Sequence, residues 1–469
     1  MPHNVVILGG GYAGLPTARR LEKLLPAQSA KVTIVSDVNF MLYTPLLPGA
    51  AGGSLDPSHV VVPLREELKQ TELRLGHVTG LDTAAKTVTV AGAAGRVDQL
   101  PYDQLVVALG STSRTLPIPG LAEHGVGFKT ISEAIALRNR LIATLEQAEI
   151  CDDPAERKAL LTYVFVGAGY AGLEGIAELQ DFAADVVENY PRCRMEGMRF
   201  ILVEARDRVM PEISESLATF AADELRRRGI EIRTSTTLDD VAPDSVKLSD
   251  AGERVPCRTV AWTAGVKPVP VIADLGLPLV KGRVEVDRCC RVPSLDGVYA
   301  IGDCAAVPDP ARPGEPCPPT AQHALRQGRL VAKNIVRGFG GQAAKPFTYK
   351  TLGVFVDMGR YQAVAETLGI RWRGFPAWFL ARSYHLAQMP GYKRRLRITV
   401  DWTVDLLFPR DSSDLGQLGH PPRLGQDASG QEAAGLSGGA LEDGPGPPAE
   451  ADPARGYGAV DADDAPVAG

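Results

Sequence analysis

The chain has 469 residues, of which 45% are hydrophobic, and a formal net charge of −6. This length is sufficient for two to three domains with buried cores. The negative charge is concentrated in residues 411–469, which hold eleven Asp and Glu residues and two Arg, so residues 1–410 are slightly basic. No apolar run reaches roughly 18 residues, which excludes a bilayer-spanning helix. The first residues also lack a basic and apolar leader, which predicts retention in the cytoplasm.

The seven cysteines lack the paired spacing of a zinc or redox site, so we predict no metal site. Residues 411–469 consist mainly of Gly, Pro, Ala, Asp and Glu. Such a composition cannot bury enough apolar surface to offset the entropy of ordering. We therefore predict an acidic, low-complexity disordered tail over 411–469.

The first predicted unit is a β-strand over 5–8, a glycine-rich turn and a helix over 15–25. In a G-x-G-x-x-G turn, the first Gly permits the bend and the second lets the backbone approach a pyrophosphate. The third Gly lets the helix pack on the strand, and the helix N-terminus faces the phosphate charge. The predicted site residues of this turn are Gly9, Gly11, Tyr12, Ala13 and Gly14.

A second strand is predicted over 31–35, and its end is where such a fold places an acid for the ribose hydroxyls. Ser36 occupies that position and Asp37 follows it, so either side chain is a candidate ribose partner. Val78 is added as a further cofactor-site position. A later apolar strand ends at Gly110 and returns the chain from this domain.

The second unit repeats the pattern 158 residues later, with its glycines at Gly167, Gly169 and Gly172. The strand after its helix ends at Glu204. A carboxylate there bonds both ribose hydroxyls and repels a 2′-phosphate, which favours NADH. Arg206 and Arg208 lie nearby and keep NADPH as an alternative.

Three further positions complete the nucleotide sites. A strand over 260–264 ends at Gly265 and closes the second unit. Glu174 lies on the first turn of the second unit's helix, where it is either a helix-start acid or a residue at the junction of nicotinamide and flavin. Residues 297–303 resemble the second flavin signature of two-dinucleotide flavoproteins. In that signature Asp303 bonds a ribityl hydroxyl, and a helix cap is the alternative.

The arrangement of cysteines distinguishes among such flavoproteins. No Cys precedes Cys151, which excludes the disulfide reductases, and none follows Cys317, which argues against sulfide-oxidising enzymes. Residues 33–47 and 319–328 resemble the type II NADH dehydrogenases, which are single-subunit NADH:quinone oxidoreductases. The family usually has an acid at Ser36 and a His or similar residue at Met41, so this chain departs from it there.

The resemblance implies an α/β fold with two Rossmann-like doubly wound domains, in which the NAD domain is inserted in the FAD domain. It implies non-covalent FAD, NADH and a membrane quinone as cofactors and acceptor. It also places Ala321 and Gln322 against the flavin ring at the quinone pocket and matches Glu174 to a family acid. The expected boundaries are 1–115 and 297–345 for FAD, 116–296 for NAD(H), 346–410 for a membrane-interaction module, and 411–469 for the tail.

Residues 367–400 support membrane attachment. They contain seven Lys and Arg residues, no acidic residue, and several large aromatic residues. Basic charge mixed with aromatic rings is typical of segments at an anionic membrane surface. A homodimer interface is the alternative, and no motif indicates nucleic-acid binding. The cations are Arg371, Arg373, Arg382, Lys393, Arg394, Arg395 and Arg397.

Together these features predict a peripheral enzyme at the cytoplasmic face of the cell membrane that passes electrons from NADH through FAD to quinone without pumping protons. Two alternatives remain open. One is a flavin reductase of a soluble acceptor such as ferredoxin. The other is an NADH-binding signalling flavoprotein that resembles apoptosis-inducing factor.

Overall fold

The computed structural model describes residues 2–26, 29–250, 252, 254–349 and 353–414. The predicted tail therefore lies outside the described residues from 415 onward. The helices are α1 (Gly14–Leu24), α2 (Leu47–Ala51), α3 (Leu64–Glu67), α4 (Leu121–His124), α5 (Ile131–Ile150), α6 (Pro154–Leu160), α7 (Tyr170–Val186), α8 (Pro191–Glu196), α9 (Glu215–Arg227), α10 (Ala321–Phe339), α11 (Gly374–Gln388) and α12 (Tyr392–Leu407).

The strands are mostly short. They are β1 (His3–Leu8), β2 (Ala30–Ser36), β3 (Phe40–Leu42), β4 (Val61–Pro63), β5 (Glu72–Leu75), β6 (His77–Asp82), β7 (Thr87–Ala91), β8 (Val97–Pro101), β9 (Gln104–Val107), β10 (Ser111–Ser113), β11 (Gly125–Gly127), β12 (Thr162–Val166), β13 (Arg199–Val203), β14 (Glu231–Arg233), β15 (Leu238–Ala242), β16 (Ser245–Leu248), β17 (Arg254–Pro256), β18 (Thr259–Trp262), β19 (Val266–Pro268), β20 (Leu279–Val280), β21 (Arg283–Glu285), β22 (Val298–Ala300), β23 (Ala305–Ala306), β24 (Gly353–Asp357), β25 (Ala363–Thr367) and β26 (Ile370–Arg373).

Two five-stranded parallel sheets organise the molecule. The first has the strand order β22-β9-β1-β2-β5 and the second the order β11-β18-β12-β13-β14. All neighbours in both sheets are parallel. Since β22 follows the whole second sheet in the chain and still pairs with β9, the second domain is inserted in the first. The predicted α/β fold with two Rossmann-like domains is confirmed.

Side-chain alternation along the strands builds the cores. In β12, Tyr163 and Phe165 pack into the cluster on one face of the second sheet, and Val164 and Val166 pack into the cluster on the other face. Successive side chains of a strand point to opposite faces. Because both faces are covered, the strand is apolar throughout, as is usual for parallel sheets.

The chain crosses between the domains through a two-stranded antiparallel pairing of β10 with β19. The segment after β19 returns to the first domain, where Ile272, Val284 and Cys290 belong to the first hydrophobic core. We therefore propose a boundary near Pro268 in place of the predicted one at 296. The sequence of 283–298 did not reveal that the chain had already returned to the first domain, because apolar strands of the same kind occur in both domains.

The C-terminal module consists of the antiparallel sheet β24-β25-β26 with helices α11 and α12. Val356 and Val364 pack into the core of the second domain, and Ile398 packs into the core of the first. The module therefore contacts both domains. Within the described part of the chain, no helix combines the length and apolarity needed to cross a membrane.

Two of the seven predicted membrane cations are buried, which corrects that part of the sequence analysis. The Arg382 guanidinium lies over the rings of Trp378 and Trp402 at 4.4 and 4.8 Å. Arg394 donates to the carbonyl oxygens of Ser58 and Val61. The tertiary fold turns both inward, since Arg382 packs against aromatic rings and Arg394 satisfies carbonyl oxygens of a neighbouring segment. Trp378 is also buried.

Candidate active site

The first glycine-rich turn has the geometry that its sequence predicts. Gly9 has a φ of +105°, and a Cβ there would lie 2.2 Å from the carbonyl oxygen of Ala108. A Cβ at Gly14 would lie 1.8 Å from the Gly9 oxygen, so the start of α1 packs directly on the turn. At Gly11 a Cβ would meet no atom within 4 Å. The backbone at Gly11 thus faces open space, as an approaching pyrophosphate requires.

The second turn repeats this geometry between β12 and α7. Gly167 also has a φ of +105°, and a Cβ at Gly172 would lie 1.8 Å from its oxygen. A Cβ at Gly169 would again meet no atom within 4 Å. The two turns are therefore equivalent cradles, each at the carboxyl end of a central parallel strand.

Gly110 and Gly265 begin the two crossings between the domains. Their φ values are +75° and +85°, in the left-handed region that glycine adopts without strain. A Cβ at either position would meet no atom within 4 Å. Both therefore lie on the open side of the strand ends, beside the two cradles.

The structure distinguishes between Ser36 and Asp37, the two candidate partners for the ribose at the first cradle. Ser36 ends β2 and is buried, and its Oγ lies 2.8 Å from the position of a Cβ on Gly10. Asp37 is exposed. Val78 is buried in β6, where it pairs with Val90 of β7. Ser36 is thus the nearer of the two side chains to the cradle.

Asp303 follows β22 and is held by residues that the sequence analysis did not identify. Its Oδ2 accepts a hydrogen bond from Ser111 Oγ at 2.6 Å, and Lys129 Nζ donates to that Oγ at 2.8 Å. Burial lowers the pKa of Lys129, and the nearby carboxylates of Asp303 and Glu133 oppose this shift. No sequence motif identifies Lys129 as a site residue, because the tertiary fold brings it to Asp303 from the inserted domain.

Gly302 lies between the first turn and α10. A Cβ there would lie 3.3 Å from Ala13 Cβ and 3.6 Å from Ala324 Cβ, and its N–H donates to Gln327 Oε1 at 2.8 Å. The first cradle, Asp303 and the start of α10 are therefore close neighbours, as one flavin site requires.

Glu204 lies at the second cradle. Its carboxylate accepts hydrogen bonds from the N–H of Ala168 at 2.7 Å and from the N–H of Arg206 at 3.0 Å. The Arg208 guanidinium donates to the carbonyl oxygens of Pro211 and Ile213, so it is engaged by its own loop. The Arg206 side chain is exposed.

Gln322 lies one residue after Ala321, the first residue of α10. Its Oε1 accepts a hydrogen bond from Tyr349 OH at 2.6 Å, and its Nε2 donates to the Gly353 oxygen at 3.1 Å. An amide carries two N–H groups, so one remains for a ligand. The sequence analysis missed Tyr349, which lies in an irregular segment without a recognisable motif.

Glu174 contacts the C-terminal module. Its Oε1 accepts a hydrogen bond from the Asp357 N–H at 3.0 Å. Burial raises the pKa of Glu174 well above its usual range. Burial also raises the pKa of Asp357 to about 7, although Arg382 opposes the shift. Two acidic residues whose burial favours the protonated carboxyl form thus lie at the junction of α7 and β24.

The comparisons with known proteins agree with this geometry. The family model described as pyridine nucleotide-disulphide oxidoreductase matches residues 3–328. A type II NADH:quinone oxidoreductase of Mycobacterium tuberculosis is 30% identical over 426 residues, 87% of this chain and 89% of the relative. An internal alternative NAD(P)H-ubiquinone oxidoreductase A1 of Solanum tuberosum mitochondria is 30% identical, with 87% of each chain covered. The chain belongs to the type II NADH:quinone oxidoreductase family.

A solved structure has the same fold. NDH2 from Plasmodium falciparum in complex with NADH superposes with a TM-score of 0.81 at 19% identity, covering 88% of this chain and all of that one. The predicted membership of the type II NADH dehydrogenases is confirmed, and with it FAD and NADH as cofactors. The assignment of individual residues to the two cofactors stays a prediction.

A partly buried aromatic cluster lies between the first cradle and α11 in this type II enzyme. The rings of Tyr12 and Tyr43 are 5.9 Å apart, and Tyr43 OH lies 3.4 Å from His385 Nδ1. Burial lowers the pKa of His385 to about 4, so its ring is neutral at pH 7. The Tyr12 hydroxyl is buried beside Thr44 and makes no hydrogen bond of normal geometry within the described residues. A ligand oxygen would satisfy it.

Proposed function

We propose that this chain is a peripheral membrane enzyme that oxidises NADH and reduces a membrane quinone without pumping protons. The observation that supports the membrane acceptor most strongly is the exposed apolar surface of α12. Leu396, Val400 and Leu407 are 63, 52 and 71% exposed. Their spacing places them on one face of the helix, while Ile398 on the other face is buried. We call Leu396, Val400 and Leu407 the apolar stripe.

The surroundings of the apolar stripe support contact with lipid. Lys393, Arg395 and Arg397 are exposed at the start of the same helix, and Phe375 and Phe379 are exposed on α11. Exposed apolar and aromatic side chains beside cations suit the interface of an anionic membrane. This supports peripheral attachment, and we assign it to the cytoplasmic face of the cell membrane.

FAD, when bound in the first cradle, would supply the redox chemistry that links NADH to the quinone. The protein residues position the reactants. We assign Glu204 to the ribose hydroxyls of NADH, where its charge repels a 2′-phosphate. We assign Asp303 to a ribityl hydroxyl of FAD and Ser36 to its ribose.

The quinone requires donors for its oxygens and, as it is reduced, protons. The Tyr12 hydroxyl and the second N–H of Gln322 are candidate neutral donors to the quinone oxygens, and the neutral His385 adds no charge beside Tyr43. Burial raises the pKa of Glu174 and Asp357, that of Asp357 to about 7, so both favour the protonated form more than an ordinary carboxyl group does. We assign to Glu174 the role of holding a proton near the junction of nicotinamide and flavin.

The alternative functions predict different properties for the apolar stripe and for quinone turnover. A reductase of a soluble acceptor has no use for an exposed apolar stripe. A signalling flavoprotein would turn over slowly with quinone. A homodimer would cover the stripe with a second copy and leave vesicle binding unchanged when the stripe is altered.

The test replaces Leu396, Val400 and Leu407 together by Asn. Truncation before Arg371 is a poorer choice, because it removes Arg410, which is buried against Glu178 at 3.3 Å. We expect the triple variant to lose most of its binding to anionic vesicles and most of its activity with long-tailed quinone. Activity with NADH and a short-chain quinone should be unchanged, because the cofactor sites lie elsewhere.

The matched control replaces three other exposed apolar residues, Val97, Ile150 and Met195, by Asn. Their exposed fractions are 61, 79 and 84%, and all lie outside the C-terminal module. This control should bind vesicles like the wild type. Equal vesicle binding by the stripe variant and the wild type would refute the proposed attachment, and dimer dissociation in the stripe variant would assign the stripe to a homodimer. Failure of the wild type to reduce any quinone would refute the enzyme assignment.

A further inference from the structure

Helices α1 and α10 lie side by side and carry four arginines: Arg19, Arg20, Arg326 and Arg329, which we call the arginine cluster. The helices are in close contact, since a Cβ at Gly328 would lie 2.3 Å from the Ala13 oxygen and 2.8 Å from Thr17 Oγ1. Arg329 is exposed, and the other three are half-buried. The cluster lies outside residues 346–410, the only segment for which the sequence predicted membrane contact.

Two of the four guanidinium groups are engaged by protein groups. Arg19 forms an ion pair with Glu67 at 2.8 Å. Arg326 lies 4.0 Å from the centre of the Tyr349 ring and donates to the Gln322 oxygen at 3.0 Å. These contacts hold both side chains in place.

Arg20 and Arg329 make no ion pair or hydrogen bond with any described residue. The Nε of Arg20 is buried and still lacks a partner. A buried polar group that has lost water without gaining a partner costs free energy, and more so when it is charged. The Arg20 guanidinium therefore has no counter-charge or acceptor among the described residues, and an anionic ligand would supply one at its accessible nitrogens.

The charges of the cluster also repel one another. Although Arg329 is mostly exposed, the partial burial of its guanidinium lowers its pKa, and the neighbouring Arg326, Arg19 and Arg20 lower it further. Among the described residues, no carboxylate raises the pKa of Arg329 in compensation. Neighbouring like charges are unfavourable without a bound counter-charge.

We propose that the arginine cluster binds the phosphate group of an anionic phospholipid at the membrane surface. Guanidinium groups donate paired N–H bonds that match the geometry of phosphate oxygens. The inference rests on the proposed membrane attachment and adds a lipid-binding site on the FAD domain.

Position favours a lipid over another phosphate. The FAD pyrophosphate cradle is at Gly11, and Arg20 follows Gly14 by six residues, which is about 9 Å along the helix. At the end away from this cradle, Glu67 connects the cluster to the start of α12. Glu67 forms the ion pair with Arg19, and its Oε1 lies 3.4 Å from the position of a Cβ on Gly391. The headgroup site thus adjoins the start of the helix that carries the apolar stripe.

The test replaces Arg20 and Arg329 by Gln in the full-length flavoprotein. Binding is measured to phosphatidylcholine vesicles with and without phosphatidylglycerol. A cation near an anionic surface contributes about fivefold in affinity, so we expect the double variant to bind the anionic vesicles roughly 25-fold more weakly. The control, Lys158→Gln with Lys247→Gln, has the same net charge, lies on the inserted domain and should bind like the wild type.

Thermal unfolding gives a second measurement and shows that the variant is folded. Without added anions, the double variant should melt at a temperature equal to or above that of the wild type, because repulsion is relieved. Phosphatidylglycerol vesicles should raise the melting temperature of the wild type and the control more than that of the double variant. A double variant that binds these vesicles as well as the wild type, or a control that loses as much affinity, would overturn the proposal.

The remaining outcomes separate this inference from the membrane attachment on which it rests. If inorganic phosphate raises the melting temperature of the wild type but not of the double variant, while vesicle binding is equal, the site takes a soluble phosphate and the lipid assignment is wrong. If the wild type binds no vesicle, the membrane attachment itself fails. If only the stripe variant loses vesicle binding, the proposed membrane attachment stands and the proposed lipid binding by the arginine cluster is refuted.

Discussion

Asp303 is the residue whose replacement tests flavin binding most directly. Its carboxylate accepts a hydrogen bond from Ser111 Oγ, which orients it, and we propose that it also bonds a ribityl hydroxyl of FAD. A hydrogen bond to a charged group contributes about 1.5–3 kcal/mol, so Asp303→Ala should raise the FAD dissociation constant about tenfold or more. Flavin fluorescence titration of the apoprotein measures this. Asp296→Ala, at a side chain that is 98% exposed, is the control, and equal affinity in the two variants would contradict the assignment.

Glu204 should determine the choice of pyridine nucleotide. Its carboxylate is oriented by the N–H groups of Ala168 and Arg206, and Arg206 remains exposed to meet a phosphate. Glu204→Ala should therefore reduce the ratio of kcat/KM for NADH to that for NADPH by about tenfold or more, since like-charge repulsion is removed. A wild-type preference for NADPH would show that Arg206 binds a 2′-phosphate and that the assignment is wrong.

Asp357 should make stability depend on pH. Burial raises its pKa to about 7, so the folded state favours the protonated group. A group with a raised folded pKa stabilises fully below its unfolded pKa and loses that contribution as pH rises through the folded value. The free energy of unfolding of the wild type relative to Asp357→Asn should therefore fall between pH 5 and pH 8. Urea unfolding of both holoproteins measures the difference, and a constant difference would mean that Asp357 stays ionised.

At the scale of elements, a buried charge cluster fastens the end of the C-terminal module to α7. The Arg410 side chain is fully buried, and it contacts Asp405 at 2.9 Å and the Gly52 oxygen at 3.0 Å as well as Glu178. Removing one partner of a buried pair leaves the others unpaired and costs about 3–5 kcal/mol.

Arg410→Met should therefore lower the free energy of unfolding by that amount and loosen α12. The control is Arg226→Met, at an exposed pair with Asp223 at 3.1 Å, which should cost at most about 1 kcal/mol. Denaturant unfolding compares the two variants. A similar small effect in both would show that the Arg410 cluster does not hold the module.

At the scale of the whole molecule, charge is unevenly divided, and the segment from 415 onward carries nine acidic residues and two Arg. A net negative segment repels an anionic surface, and salt screens this repulsion. A protein that ends at Asp414 should therefore bind anionic vesicles more tightly than the full chain at low ionic strength, and the two should converge at high salt. Co-sedimentation at two salt concentrations measures this, and tighter binding by the full chain would show that the segment promotes attachment.

The sequence by itself determined the features that depend on local chain geometry. Gly9, Gly14, Gly167 and Gly172 occupy positions where a Cβ would collide with backbone, so the two cradles and the apolar strands before them were predictable from spacing. The two cradles predicted a flavin and a pyridine nucleotide, and the family was recognised from residues 33–47 and 319–328.

Contacts between segments that are far apart in the chain could be identified only from the tertiary structure. Lys129 reaches Asp303 through Ser111, and Asp357 reaches Glu174, across the domain and module boundaries. The basic segment was misjudged in part, because a run of cations does not reveal that Arg382 and Arg394 turn inward. Local periodicity specifies which face of an element is apolar, but the partner of each charge depends on packing between segments that are far apart in the chain.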